Sequence, residues 1–260
     1  MRIVNPDQAP PMSDAPPPTS DVPAMIRVGR LIERHEPGAP APLAMAVPDL
    51  IARYERLQAA IVSDVLREHG LLDCAFPGTL VALRGDRTVA GIAYTVKSSP
   101  NTRISGEMTI RGRMLDGLAA NDFVVWDTSG DTHGTMWGGV MTATVVGKGV
   151  RGAIVDGGIR DVAQILAKDF AVYYRYRSPS GSLGRCQITH YQIPVRIGEA
   201  FVRPGDVIVA DLDGAVCVPR ELAIDVLVRA EEIAGNEERI FGWVDEGRSI
   251  AEITQKGGYF

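Results

Sequence analysis

Residues 137–165 read WGGVMTATVVGKGVRGAIVDGGIRDVAQI, and the order of glycine turns and apolar runs in this stretch decides the fold. Trp137-Gly138-Gly139 ends a loop and opens a helix predicted over 139–148. A β-branched run then predicts a buried strand over 152–156. Asp156-Gly157-Gly158 reads as a tight turn, and Arg160-Asp161 stand at the mouth of a second helix over 161–168. Strand and helix alternating in this way imply a partly parallel sheet with helices packed on it. Ligands of such sheets gather at the carboxyl edge of the strands, where both glycine turns and the Arg-Asp pair fall.

The pattern extends outward from this stretch. TLVALR from Thr79, TVAGIAYTVKS and DFVVWDT are rich in Val, Ile, Thr and Tyr and predict strands, the last over 122–127, with a helix over 105–119 before it. FAVYYR adds a short strand after 168. Upstream, residues 49–69 carry apolar side chains at helical spacing up to Gly70, with Ser63-Asp64 able to interrupt or cap a second piece. Downstream, PVRIG and AFVRPGDVIVADLDGAVCVP place turns at Pro204-Gly205 and Asp213-Gly214 between apolar runs, which is hairpin chemistry. Residues 220–247 predict a charged amphipathic helix carrying Glu231, Glu232, Glu237 and Glu238. The fold class is therefore α/β with a mixed sheet, C-terminal antiparallel hairpins and a closing helix.

Composition bounds the function. The 260 residues are 45% hydrophobic, enough for a sizeable core, and the formal net charge is -5. No block of basic residues points to nucleic acid, and no apolar run is long enough to span a bilayer. The N-terminus lacks the basic-then-apolar order of a secretion signal, so a cytoplasmic location is expected. Cys74, Cys186 and Cys217 are odd in number and widely spaced, and read as small buried hydrophobes. Eleven of the 17 prolines fall at or before Pro48. Residues 1–48 accordingly read as a Pro-rich N-terminal extension, with a short helix at 25–36, and residues 49–260 as the folded domain.

The chemistry concentrates in a few side chains. Arg160 can hold a carboxylate through two parallel hydrogen bonds. Asp161 offers a hard oxygen ligand to Mg²⁺ or Mn²⁺, ions that keep several waters and need only one or two carboxylates. The plainer alternative is that Asp161 caps its helix and Arg160 makes a surface ion pair. Gly138 and Gly139 let the backbone approach a ligand closely, so that the N–H groups of Val140 and Met141 face a carboxylate or a developing enolate oxygen. A conformational helix start explains the same glycines. His133, in the loop DTHGTMW, is a candidate base or proton shuttle. Asp127 and Asp131 flank that loop, and either could hold a water on the metal. His35, His69 and His190 show no partner pattern. Lys97 is the only positional candidate for a Schiff base and reads better as an edge-strand charge. DLDG at 211–214 lacks the closing Glu of a calcium loop and reads as a hairpin turn.

Four pieces, AGIAYTVKSSP, NDFVVWDTSG, WGGVMTATVVGKGVRGAIVDGGIRD and VRPGDVIVADLDGAVCVP, resemble in order and spacing the RraA-like family. That group includes 4-hydroxy-4-methyl-2-oxoglutarate (HMG/CHA) aldolases and protein inhibitors of ribonuclease E. The resemblance runs from about residue 50 to 238. It implies a swivelling β/β/α core assembled as a homotrimer or a dimer of trimers with sites at subunit interfaces. It also implies a divalent metal held largely through water by Asp161, a pyruvyl carboxylate on Arg160, and substrate contact by Gly138, Gly139, Val140 and Met141. A neighbouring subunit's glutamate, matching Glu237 or Glu238, is implied near the metal. One position departs: the aldolases and the inhibitors usually carry an acid where this chain has Gly139.

The expected function is a divalent-metal-dependent lyase that cleaves a 4-hydroxy-2-oxo acid in the manner of a class II pyruvate aldolase, or decarboxylates oxaloacetate. Arg160 and His133 are the catalytic candidates and a small 2-oxo acid is the partner. The alternatives are a non-enzymatic binding protein that inhibits ribonuclease E, or a metal-dependent dehydratase or isomerase on a related hydroxy acid.

Overall fold

The computed structural model describes residues 42–256, so the helix expected at 25–36 lies outside the described residues. The central sheet takes its order from the run of β-branched residues. Strands β2 (Val89–Pro100), β3 (Asp122–Asp127), β5 (Gly152–Ile159) and β6 (Ala171–Arg177) lie side by side and parallel. Short strand β1 (Val81–Ala82) pairs antiparallel with β6 at one edge. At the other, β10 (Val207–Ala210) pairs antiparallel with both β2 and β11 (Ala215–Val218). Two further strands, β4 (Thr135–Trp137) on β5 and β7 (Cys186–Tyr191) on β2, lengthen the sheet beyond the ends of its neighbours. A separate antiparallel pair, β8 (Val195–Ile197) and β9 (Ala200–Val202), covers one face.

Three apolar clusters hold the layers together. Helices α3 (Glu107–Asp116), α4 (Gly139–Val146) and α5 (Val162–Ala167) pack on one face around the fully buried Trp126, Trp137 and Ile165. The opposite face meets β8 and β9 through Phe123, Val125, Ile154 and Tyr173. Helices α1 (Val47–Tyr54) and α2 (Ala59–Glu68) pack with α6 (Ala223–Asp245) against β10 and β11. A 3-10 turn (Arg220–Leu222) leads into α6, and α7 (Ile250–Gln255) folds back through buried Ile253. Among the described residues no helix is long and apolar enough to cross a membrane.

Several expectations need correction. The helix expected over 49–69 is two helices broken at residues 55–58, not at Ser63-Asp64. Only Val81 and Ala82 of TLVALR form strand. Pro204-Gly205 does not close a hairpin, since β9 and β10 belong to different sheets, while Asp213-Gly214 does join β10 to β11. The strand over 152–156 runs on to Ile159, straight through the glycines read as a turn. Gly158 is flanked by β4 and β6, pairing with Thr135 on one side and Tyr176 on the other. A Cβ there would meet the Tyr176 ring at 2.5 Å, and one at Gly157 would meet Thr128 at 2.9 Å. The glycines serve close packing between strands, not a reversal.

Candidate active site

The parallel strands deliver their following loops to one edge, as doubly wound sheets do. Arg160 and Asp161 leave β5 there, and the first turn of α4 stands beside them. Arg160 N–H donates to the Trp137 carbonyl at 3.0 Å, which ties the end of β5 to the start of α4. Asp161 adopts a left-handed backbone, φ 57° and ψ 37°. Aspartate tolerates this region better than most residues, but it still costs about 1 kcal/mol. The kink lets α5 turn away while the carboxylate points back towards α4.

That orientation revises the local reading of Asp161. It occupies the N-cap position of α5 without making a side-chain cap there. Instead its Oδ2 accepts the Gly139 N–H of α4 at 3.1 Å. The N–H groups of Val140 and Met141 have no acceptor inside the helix, because the first turn never does. The partial positive charge of this helix end suits an anion. Arg160 Nε lies 3.7 Å from the same Asp161 oxygen, with the two side chains 48% and 38% exposed. Gly138 is extended, so its lack of a side chain answers to space: a Cβ would stand 2.8 Å from Asp161 Oδ2. A Cβ at Gly139 would collide with the side-chain oxygen of Gln164, one turn along α5. Gln164 thus fills the space that a side chain at Gly139 would need.

Arg160 and Asp161 line an open cleft of about 420 Å³ with Ile159, Val162, Arg177, Ser178 and Pro179. Arg177 escaped the sequence reading, although β6 neighbours β5 in parallel register and pairs Arg177 with Ile159. Extending FAVYYR by two residues would have found it. Its Nε donates to the Tyr174 hydroxyl at 2.7 Å and its guanidinium carbon sits 5.3 Å from the centroid of that ring.

Not every candidate reaches this cleft. His133 lines a separate, larger one of about 660 Å³ with Asn101, Thr102, Asp131 and Arg185. Asp131 is buried and accepts from Gly134 N–H at 2.8 Å and the Tyr176 hydroxyl at 3.1 Å. Asp127 is buried against Lys97 at 2.6 Å, which commits both groups to each other. The Val140 side chain is 79% exposed, whereas Met141 is buried with its sulfur against Arg111. Glu237 and Glu238 lie on α6, outside the residues that line the cleft.

A buried polar group braces the site from behind. Arg111 donates to the Met136 carbonyl at 2.8 Å, to Glu107 at 2.7 Å and to Ser182 Oγ at 3.0 Å, and stacks over Trp126. Glu107 also accepts Ile188 N–H at 3.1 Å. One ion pair therefore joins α3, the strand leading into α4, β7 and the loop after β6. Sequence reading had no signal for it, since its partners are far apart in the chain.

Residues 59–217, well over half of the chain, match the family model described as RraA-like, Aldolase/RraA. The chain belongs to the RraA-like family. A Halalkalibacterium halodurans relative named "Putative 4-hydroxy-4-methyl-2-oxoglutarate aldolase" is 26% identical over 75% of this chain and 89% of its own. Protein DlpA of Legionella pneumophila is 24% identical over 80% of this chain, which spans only 34% of DlpA. Among solved structures, Streptomyces coelicolor RraAS2, described as an unusual member of the RNase ES inhibitor RraA protein family, is 27% identical with TM-score 0.66 over 76% of this chain and 98% of that one. Another, described as novel cellulases from microbes associated with the gut ecosystem, is 50% identical with TM-score 0.78 over 83% and 97%.

Proposed function

We propose that this RraA-like protein is a divalent-metal-dependent carbon–carbon lyase that cleaves a 4-hydroxy-2-oxo acid, or decarboxylates oxaloacetate, to release pyruvate. The observation that carries the reading is the shared cleft: a guanidinium and a carboxylate side by side, with Asp161 pinned to the first N–H of α4. The donor set fits a hard cation. Asp161 spends one oxygen on Gly139 and keeps the other for a ligand, and among the described residues no three His, Cys, Asp or Glu side chains are grouped so as to hold a metal ion. Such a site suits Mg²⁺ or Mn²⁺, which retain most of their water, and not a closed Zn²⁺ site. When bound, the cation would supply Lewis acidity at the 2-oxo group.

The protein groups do the rest. Arg160 would hold the C1 carboxylate, which fixes the rotation of the scissile bond against the carbonyl π system. Val140 and Met141 N–H groups, without an acceptor in the first turn of α4, would hold negative charge as it develops on the oxo oxygen. Decarboxylation needs no base, whereas aldol cleavage must remove a hydroxyl proton; His133 would serve that step only with a rearrangement that brings its cleft and this one together.

We further assign residues 49–260 as the catalytic domain and 1–48 as an extension, place the protein in the cytoplasm, and take the active assembly as a homotrimer or dimer of trimers in which Glu237 or Glu238 of a neighbour approaches the metal. The likeness to RraAS2 supports a second reading, inhibition of an RNA-processing enzyme through the protein surface, which needs no cleft chemistry. Glycoside hydrolysis uses two carboxylates and the lining of the Arg160–Asp161 cleft holds one, so this cleft does not favour a cellulase reading. The test is pyruvate release from a panel of 4-hydroxy-2-oxo acids and oxaloacetate, with and without EDTA. Turnover abolished by EDTA supports the lyase; no turnover on any member favours the surface-binding reading.

A further inference from the structure

The cleft holds one more cation than the proposed chemistry uses. Arg177 lines it with Arg160 and Asp161, yet has no acidic partner among the described residues. Its contacts are with a single tyrosine: Nε donates to the Tyr174 hydroxyl, and the guanidinium plane rests near that ring. Those contacts orient an exposed head group and leave both Nη atoms without a partner among the described residues. A guanidinium so oriented is a two-pronged donor that matches a carboxylate or phosphate edge. Arg160 differs, because Asp161 lies beside it and offsets its charge.

We infer that Arg177 is a specificity-determining residue that binds a second anionic group of the substrate, at the opposite end from the carboxylate held by Arg160. The inference rests on the lyase reading and adds the residue of this chain that would read the substrate's second charge. Two guanidinium groups against one carboxylate leave the lining net positive. A monoanion uses Arg160 and leaves Arg177 to water. A dianion spans both arginines, and the cleft volume of about 420 Å³ accommodates a chain of four to six carbons. Tyr174 acts as a positioning residue, since its hydroxyl sets where the Arg177 fork points.

The test compares 2-oxoglutarate, a dianion, with pyruvate, a monoanion, by calorimetric titration in the presence of Mg²⁺. Wild type, Arg177→Met, Arg177→Lys and Tyr174→Phe are measured, with melting temperature as the check on folding. Wild type should bind 2-oxoglutarate more tightly than pyruvate. Arg177→Met should weaken 2-oxoglutarate about tenfold, the size of one partly exposed charge-assisted contact, and leave pyruvate unchanged. Arg177→Lys should fall between, because it keeps the charge and loses the fork. Tyr174→Phe should weaken 2-oxoglutarate by a smaller factor at unchanged pyruvate affinity. In turnover, Arg177→Met should raise KM for oxaloacetate with kcat little changed. Equal weakening of both acids, or of neither, overturns the role of Arg177 while wild-type pyruvate release keeps the lyase reading standing. Absence of both turnover and oxo-acid binding in wild type overturns the two together.

Discussion

Replacing Gly138 by alanine tests the site through its tightest contact. The backbone there is extended, so alanine adopts it without strain, and the whole effect comes from the added methyl. That methyl would stand 2.8 Å from Asp161 Oδ2 and 3.4 Å from Arg160 Cγ. Ordinary contact needs about 3.4 Å, so the carboxylate must retreat by roughly 0.6 Å. The left-handed backbone of Asp161 allows little freedom to absorb the shift, and the 3.1 Å bond from Gly139 N–H stretches beyond useful range. A hydrogen bond to a charged group contributes about 1.5–3 kcal/mol. Water reaches this carboxylate, so the loss should be nearer 1–2 kcal/mol, a fall in melting temperature of about 4 °C for a domain of this size. Activity should suffer more, by about 100-fold in kcat/KM, because a misplacement approaching 1 Å disturbs the alignment of reacting groups. Gly235→Ala is the control: it lies within α6 with nothing near its Cβ position, and should leave activity intact and raise stability by about 0.5–1 kcal/mol. Scanning calorimetry and a coupled assay for pyruvate give both readouts. A Gly138→Ala protein with wild-type melting and wild-type kcat/KM would refute the tie between α4 and Asp161.

Two further outcomes are expected. Arg111→Met should destabilise by about 3–5 kcal/mol, since it strands the buried Glu107 carboxylate, and adding Glu107→Gln should recover part of the loss; urea unfolding of the three proteins checks this. Asp156 has its pKa raised above 3.8, by burial first, with Arg175 opposing and Asp127 adding to the rise. The folded state therefore holds a proton that the unfolded state has released, and this group's contribution to stability falls as pH rises from 3.8 through the raised value. Wild type should lose stability relative to Asp156→Asn over that window, and a difference that is flat or grows with pH would contradict it.

The sequence carried the parallel core well because its strands are β-branched and both faces are buried, as in Phe123–Trp126 and Ala153–Val155. It was silent on β7, where Gln187, Thr189 and His190 give no apolar run. The glycines at 157 and 158 misled for a physical reason: glycine marks a reversal or a close approach equally well, and only the neighbouring strands decide. For the site, adjacency in sequence brought Arg160 and Asp161 forward. The direction of Asp161, across to α4 and away from its own helix, depends on tertiary packing that no local pattern encodes. His133 is near Gly138 along the chain, yet it faces another cleft because β4 intervenes. Gln164 meets α4, and Arg177 meets the cleft, only once the sheet and its helices are assembled.

The central claim is that Asp161 holds a divalent cation beside Arg160, and binding of Mn²⁺ followed by electron paramagnetic resonance measures it without reference to any substrate. Wild type should take up Mn²⁺ and quench the free-ion signal, more strongly when oxalate is added as a planar dianion, and Asp161→Ala should leave that signal at its protein-free level. Equal uptake by the two proteins would place the cation elsewhere and contradict the assignment.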